Sequence, residues 1–171
     1  MSQNKLTKFE NSFRLADMSL FGVDKPHRFY EVNMYDALLL IDSDDFDGIL
    51  FFGFSSCPWC QSAIGVLNQA SLDTDTDIYY INRAPELRNE DWLALDTQMA
   101  RWLDEHIEME LNVEKIEPHI YVPQIVHLKD RKIINSYRGI APDHNAMYTG
   151  MSDELKNSLY NKYVEIFKAS D

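Results

Sequence analysis

Apolar residues along this chain follow two rhythms, and each change of rhythm marks an element. "HRFYEVN" (27–33) reads as a strand, and Asn33 is placed to cap a helix over "MYDALLLID". "DSDDFDG" then reads as a turn. "GILFFGF" (48–54) is almost wholly apolar, the pattern of a strand buried on both faces. From Pro58 to about Ser71 the spacing turns helical, with Ala63, Ile64, Leu67, Ala70 and Leu72 on one side. "DIYYIN" (77–82) is the next strand. A long helix is predicted from about Asn89, with Trp92, Leu95, Met99, Trp102 or Leu103, and Ile107 as its inner stripe. "PQIVHLKDRKIINSYRG" reads as a hairpin: a strand over 124–128, a turn at Asp130-Arg131, and a strand over 132–138. "SDELKNSLYNKYVEIFK" closes the chain as a helix capped by Ser152, with Leu155, Leu159, Tyr163 and Ile166 at core spacing. Ahead of all this, Leu6, Phe9, Phe13 and Leu20 form one side of a short helix or arm that Pro26 ends.

The resulting order, β-α-β-α-β-α-β-β-α, predicts an α/β fold with a mixed sheet. No repeat, linker or low-complexity break divides the 171 residues, so a single domain over 1–171 is expected.

Composition narrows the function classes. Hydrophobic residues make up 45% and charged residues 26%, which is globular. A net charge of −12 repels nucleic-acid backbones and anionic lipid, so no nucleic-acid or membrane partner is expected. The N-terminus, "MSQNKLTKFENSFRLADMSLF", has no apolar secretion-signal core, and no apolar run approaches a membrane span. The chain is expected to be cytoplasmic, where thiols stay reduced, and monomeric.

The chain has two cysteines, Cys57 and Cys60, in "FFGFSSCPWCQSAI". A buried strand ending at Phe54 and a helix beginning at Pro58 put Cys57 at a helix N-terminus. Proline is favoured there, since its missing N–H has no partner to lose. Unpaired N–H groups and the helix dipole lower the pKa of a thiol at that end, which makes Cys57 the attacking thiolate. Cys60 lies one turn on, on the same face, within disulfide reach. Three blander readings stand beside this one. A structural disulfide closing so small a loop adds little stability. Zinc needs four ligands, and the five histidines (His27, His106, His119, His127, His144) show no matching pair, so no metal is expected. The cysteines could also be two inert, buried residues, because an isolated C-x-x-C is only moderately specific.

A second motif adds weight. In "YVPQIVHLKDRKIINSYRG", Pro123 precedes a strand, a hairpin follows, and Gly139 ends it. With both motifs, the sequence resembles the thioredoxin superfamily over roughly residues 28–82 and 119–170. The resemblance implies a thioredoxin-like α/β fold with a central mixed sheet flanked by helices. Residues 1–26 are then an N-terminal extension, and 89–111 a helical insert before the cis proline. It implies Cys57 as nucleophile, Cys60 as buried resolving thiol and Pro123 as the cis proline beside them. Val122 then offers backbone groups to an extended substrate, while Pro58 and Trp59, on an exposed turn, face it. The activity implied is thiol–disulfide exchange, without a cofactor, on a protein or small-molecule disulfide, with a separate electron donor.

The pattern departs from its relatives in places. Glutaredoxins carry a basic residue where Phe54 stands, and "IAPDHN" after Gly139 lacks their signature. Thioredoxins bury an aspartate where Phe51 stands and place a tryptophan at Ser56. No Lys or Arg flanks CPWC, so thiolate stabilisation is expected from the helix end and the hydroxyls of Ser55 and Ser56, with Cys57 moderately acidified. The stripe of Trp92, Met99 and Trp102 is expected to be core. A second role fits the same motifs: a thioredoxin-like accessory protein without general turnover, loosely similar to those of bacteriocin export. The acidic runs "DSDDFDG" and "DTDTDI" fail the calcium-loop pattern, with Phe46, Asp47 and Ile78 at key positions, and read as solvated turns.

Overall fold

The computed structural model describes residues 13–24, 26–107, 119–141, 144–147 and 149–170. Three strands run parallel: β1 (Phe29–Glu31), β2 (Asp47–Gly53) and β3 (Ile78–Asn82). Two more, β4 (Gln124–Lys129) and β5 (Lys132–Arg138), form an antiparallel hairpin that joins through β4 to β2. The sheet order is β1-β3-β2-β4-β5, so β2 is central. That position accounts for its unbroken apolar run. Ile49 and Phe51 face one core, and Leu50 and Phe52 face another.

Helices cover both faces. α2 (Pro58–Asp73) and α4 (Asp153–Phe167) close the first core with Ala63, Ile64, Leu67, Leu159, Tyr163 and Ile166. α1 (Met34–Ile41) and α3 (Glu90–His106) close the second with Met34, Ala37, Leu40, Met99, Ala100 and Leu103. The expected caps are in place. Asn33 Oδ1 accepts from the Asp36 N–H at 2.8 Å, Asn89 Oδ1 from Trp92 at 2.9 Å and Ser152 Oγ from Leu155 at 3.1 Å. This is the thioredoxin-like α/β arrangement expected of the sequence.

The N-terminal arm differs from the helical option. Leu6 and Phe9 lie outside the described residues. Beyond them the chain runs antiparallel to β1: the Ala16 N–H donates to Phe29 O and the Glu31 N–H to Arg14 O, both at 2.8 Å. The arm thus satisfies backbone groups of an edge strand. It buries Ala16 and Met18, packs Phe13 edge-on against Tyr79, and leaves Leu20 80% exposed on a short 3-10 turn. Leu20 is therefore not on the arm's inner side. An extended segment alternates its faces, whereas the reading from sequence used helical spacing.

The acidic turns are tied by arginines. Arg131 sits with Asp130 in the β4–β5 turn, both at positive φ, as a two-residue hairpin loop favours. Its guanidinium pairs with Asp42 and Asp44. Arg28 pairs with Asp75 and Asp77. Phe46, inside the first acidic run, is fully buried.

Candidate active site

β2 ends at Gly53, and α2 begins at Pro58 with Cys57 as its N-cap residue. Three hydrogen bonds shape the loop between them. The Cys57 N–H donates to Phe54 O at 3.2 Å, Cys57 O accepts from the Gln61 N–H at 2.9 Å, and Gln61 Nε2 donates to Ser55 O at 2.6 Å. Both cysteines are free thiols; Cys57 is 6% exposed and Cys60 fully buried.

The two sulfurs interact directly, and this splits their acidities. The Cys60 thiol hydrogen-bonds to Cys57 and is the chief reason that the Cys57 pKa falls to about 6. Burial opposes the fall, and the backbone N–H groups of Cys60 and Trp59 at the helix start reinforce it. Cys60 moves the other way. Its bond to Cys57, its burial and the Cys57 charge all push its pKa up, against a backbone hydrogen bond from Phe54 and the positive charge of Arg83. One proton therefore leaves the pair easily, from Cys57, and the other is held on Cys60. The hydroxyls of Ser55 and Ser56, expected to help, are not among the groups that lower Cys57.

The partner wall comes from β4. Phe52 pairs with Gln124 across the β2–β4 ladder, so the next step outward sets Pro123 beside Gly53, at the end of β2 from which the CPWC loop departs. The Val122–Pro123 bond is cis. Pro123 is buried, and its carbonyl accepts from the Gly139 N–H at 2.9 Å. Gly139 sits at φ 73°, a left-handed conformation that suits glycine. Val122 is half-buried. Around it, exposed Tyr121 meets His119 edge-on at 5.0 Å and carries the Arg138 guanidinium 4.5 Å above its ring.

Pro58 and Trp59 occupy the first turn of α2, both half-buried, with Trp59 packed against the core. The exposed turn expected for Trp59 is thus helical, because α2 starts immediately after Cys57. Phe51, where thioredoxins bury an aspartate, stacks on Tyr80 at 5.2 Å. Burial, and then the Cys60 charge, push the Tyr80 hydroxyl pKa up.

One constellation escaped the sequence reading. Arg83, just past β3, is 2% exposed. Its Nε and Nη2 donate to the two carboxylate oxygens of Asp96 on α3, each at 2.8 Å, and its Nη1 donates to Ile120 O at 2.6 Å. A signal existed. Asp96 interrupts the inner stripe of α3 between Leu95 and Met99, and a carboxylate there needs a buried partner. That stripe is core as expected at Met99, while Trp92 and Trp102 are half-buried at its edges.

No protein-family model matches the chain, and no curated protein does. Among solved structures, the chain is similar to thioredoxin from Aeropyrum pernix at 21% identity and a TM-score of 0.41, over 65% of this chain and 75% of that one. It is also similar to a thioredoxin-fold protein assigned as an oxidoreductase, at 14% identity and a TM-score of 0.37, over 77% of this chain and 94% of that one. Among the described residues, no helix is long and apolar enough to cross a membrane. The strand order and connections of the chain itself are those of a thioredoxin fold, with two neighbouring thiols where its second helix begins.

Proposed function

We propose that the protein is a thiol–disulfide oxidoreductase that reduces protein disulfides through Cys57 and Cys60. The observation that carries this reading is the pair of free thiols at the start of α2, Cys57 at its N-cap and Cys60 one turn on, with the cis Val122–Pro123 bond at the same end of the sheet; a Cys57 pKa lowered to about 6 agrees with it. At neutral pH Cys57 is then largely thiolate, the form that attacks sulfur. Its sulfur attacks one sulfur of a substrate disulfide. That S–S bond breaks, a mixed disulfide forms, and the departing substrate thiolate takes up a proton. Cys60 then loses its proton and attacks Cys57 Sγ. The mixed disulfide breaks, the second substrate thiolate leaves, and a Cys57–Cys60 disulfide remains. Two electrons have passed to the substrate, and an external dithiol donor restores the pair. The backbone at Val122, beside Pro123, docks the substrate as an added strand, with Pro58 and Trp59 as the facing apolar surface.

Insulin reduction with dithiothreitol as donor tests the reading. Wild-type turnover that disappears in Cys57→Ser supports it, and an inert wild-type protein overturns it. The 6% exposure of Cys57 favours a second, narrower reading: an accessory protein whose dithiol engages one partner that uncovers it. Trapping with Cys60→Ser separates the two. A broad set of captured proteins indicates a general reductant, and a single captured partner indicates the accessory role.

A further inference from the structure

A substrate that docks on the backbone at Val122 binds best if that backbone is held in place before it arrives. The sheet does not hold it, because β4 begins only at Gln124. Resting on the oxidoreductase reading, we propose that Arg83 is a positioning residue for the docking segment 119–123. α3 then belongs to the site as well, because its Asp96 aims the Arg83 guanidinium.

The contacts join three parts of the site. The Arg83 backbone N–H donates to Gly53 O at 2.9 Å, which fastens Arg83 to the end of β2 from which the CPWC loop departs. Its side chain lies on the α3 side of the sheet, where Asp96 accepts from Nε and Nη2 at 2.8 Å each. Nη1 donates to Ile120 O at 2.6 Å, two residues before Val122. The Ile120 side chain is buried in the same core as Met99 and Leu103 of α3. At its other end the segment is held by the Gly139 N–H, which donates to Pro123 O at 2.9 Å. Val122 therefore lies between two anchored carbonyls, with exposed Tyr121 beside it.

The choice of arginine follows from this geometry. Ile120 O stands outside the strand ladder in a buried setting, so it needs a donor from elsewhere. A planar guanidinium serves three acceptors in fixed directions. The two-point contact with Asp96 sets its plane, and the plane aims Nη1 at Ile120 O. A lysine keeps the charge but loses the direction. A buried ion pair kept for stability alone is weakly justified, since well-packed apolar residues often serve as well. This pair also sets the spacing between the strand that leads to the dithiol and the segment that leads to Val122.

Arg83→Met with Asp96→Asn removes the tether without orphaning a carboxylate, and Arg83→Lys keeps the charge without the fork. Each variant is read in two reactions. Insulin reduction uses the docking backbone. The single-turnover reaction of the reduced protein with dithiobis(nitrobenzoate), a small disulfide, needs only the Cys57 thiolate. Both variants are expected to raise KM for insulin by about tenfold, the loss of roughly one substrate hydrogen bond. Turnover number and small-disulfide rate are expected to stay within about twofold of wild type. Without substrate, the 15N order parameters of Tyr121 and Val122 are expected to fall from about 0.85 toward about 0.6, while those of α2 hold. An unchanged insulin KM or unchanged order parameters in folded variants overturn the proposal. So does a parallel fall of insulin turnover and small-disulfide rate, the result of a merely structural role. If the double substitution fails to fold, Arg83→Lys decides alone. An inert wild-type protein in the insulin assay removes the oxidoreductase reading, and the order parameters still decide whether Arg83 fixes the segment.

Discussion

Gly53 and Cys60 are in contact through the space that a side chain at Gly53 would fill: its Cβ would stand 3.1 Å from the Cys60 sulfur and 2.7 Å from the Phe51 ring. Gly53→Ala is therefore expected to cost about 1–3 kcal/mol through overpacking and to displace Cys60. Gly65, in the middle of α2, has open space where its Cβ would go, so Gly65→Ala is expected to stabilise by about 0.5–1 kcal/mol. Urea denaturation of the two variants gives opposite signs if the contact is as described.

The Cys57 thiolate depends on a proton donor one turn away. Cys60→Ala removes that donor, and the Cys57 pKa is expected to climb from about 6 back toward the ordinary thiol value of 9.0. Thiolate absorbance near neutral pH reads this as a loss of most of the signal.

Stability follows from the same shift. The folded protein holds a Cys57 thiolate at pH values where the unfolded chain carries a thiol. Relative to Cys57→Ser, the reduced wild type is expected to gain stability as pH rises from about 6 to about 9, and to lose that gain as pH falls through about 6. Denaturation midpoints of the pair across that window check it; a constant difference contradicts the lowered pKa.

His127 joins three elements. One ring nitrogen meets Ile166 O of α4 at 2.8 Å and the other meets Asp47 Oδ1 of β2 at 2.7 Å. His127→Ala leaves a cavity and removes the ring contacts to Ile166 O and Asp47, with an expected cost of about 2–4 kcal/mol. Asp47 is half-exposed, so Asp47→Ala is expected to cost under about 1 kcal/mol. Comparable losses from the two would show that the carboxylate, not the ring and its α4 contact, carries the joint.

Tyr163 fills the core at 0% exposure, and its hydroxyl has no hydrogen-bond partner among the described residues. Tyr163→Phe is expected to be neutral or to stabilise by about 1 kcal/mol, while Tyr163→Ala costs about 3–5 kcal/mol. Thermal melting of both variants checks it, and a large loss in Tyr163→Phe would reveal a partner for the hydroxyl.

Local signals explain how much of the fold was readable. Asn33, Asn89 and Ser152 cap helices because each side chain bonds to the backbone three residues on, a relationship written in consecutive residues. The placing of Cys57 at a helix start is equally local, since Pro58 and the apolar run before it carry the information. For residues 13–20 the sequence left a short helix or an arm open; the choice fell to an extended arm because its backbone partner is β1, which periodicity within the arm does not record.

The sequence by itself determined the succession of strands and helices, the apolar centre of the sheet and the two thiols on one turn. These rest on periodicity and capping among near neighbours. Only the tertiary structure decided that Arg83 and Asp96 would share a buried site between β3 and α3, that Gly53 would make room for the Cys60 sulfur, and that His127 would tie α4 to the sheet. Each joins polar or sterically matched groups from separate elements. Packing creates that need by removing water from them, and no rhythm of apolar positions records which groups it will bring together.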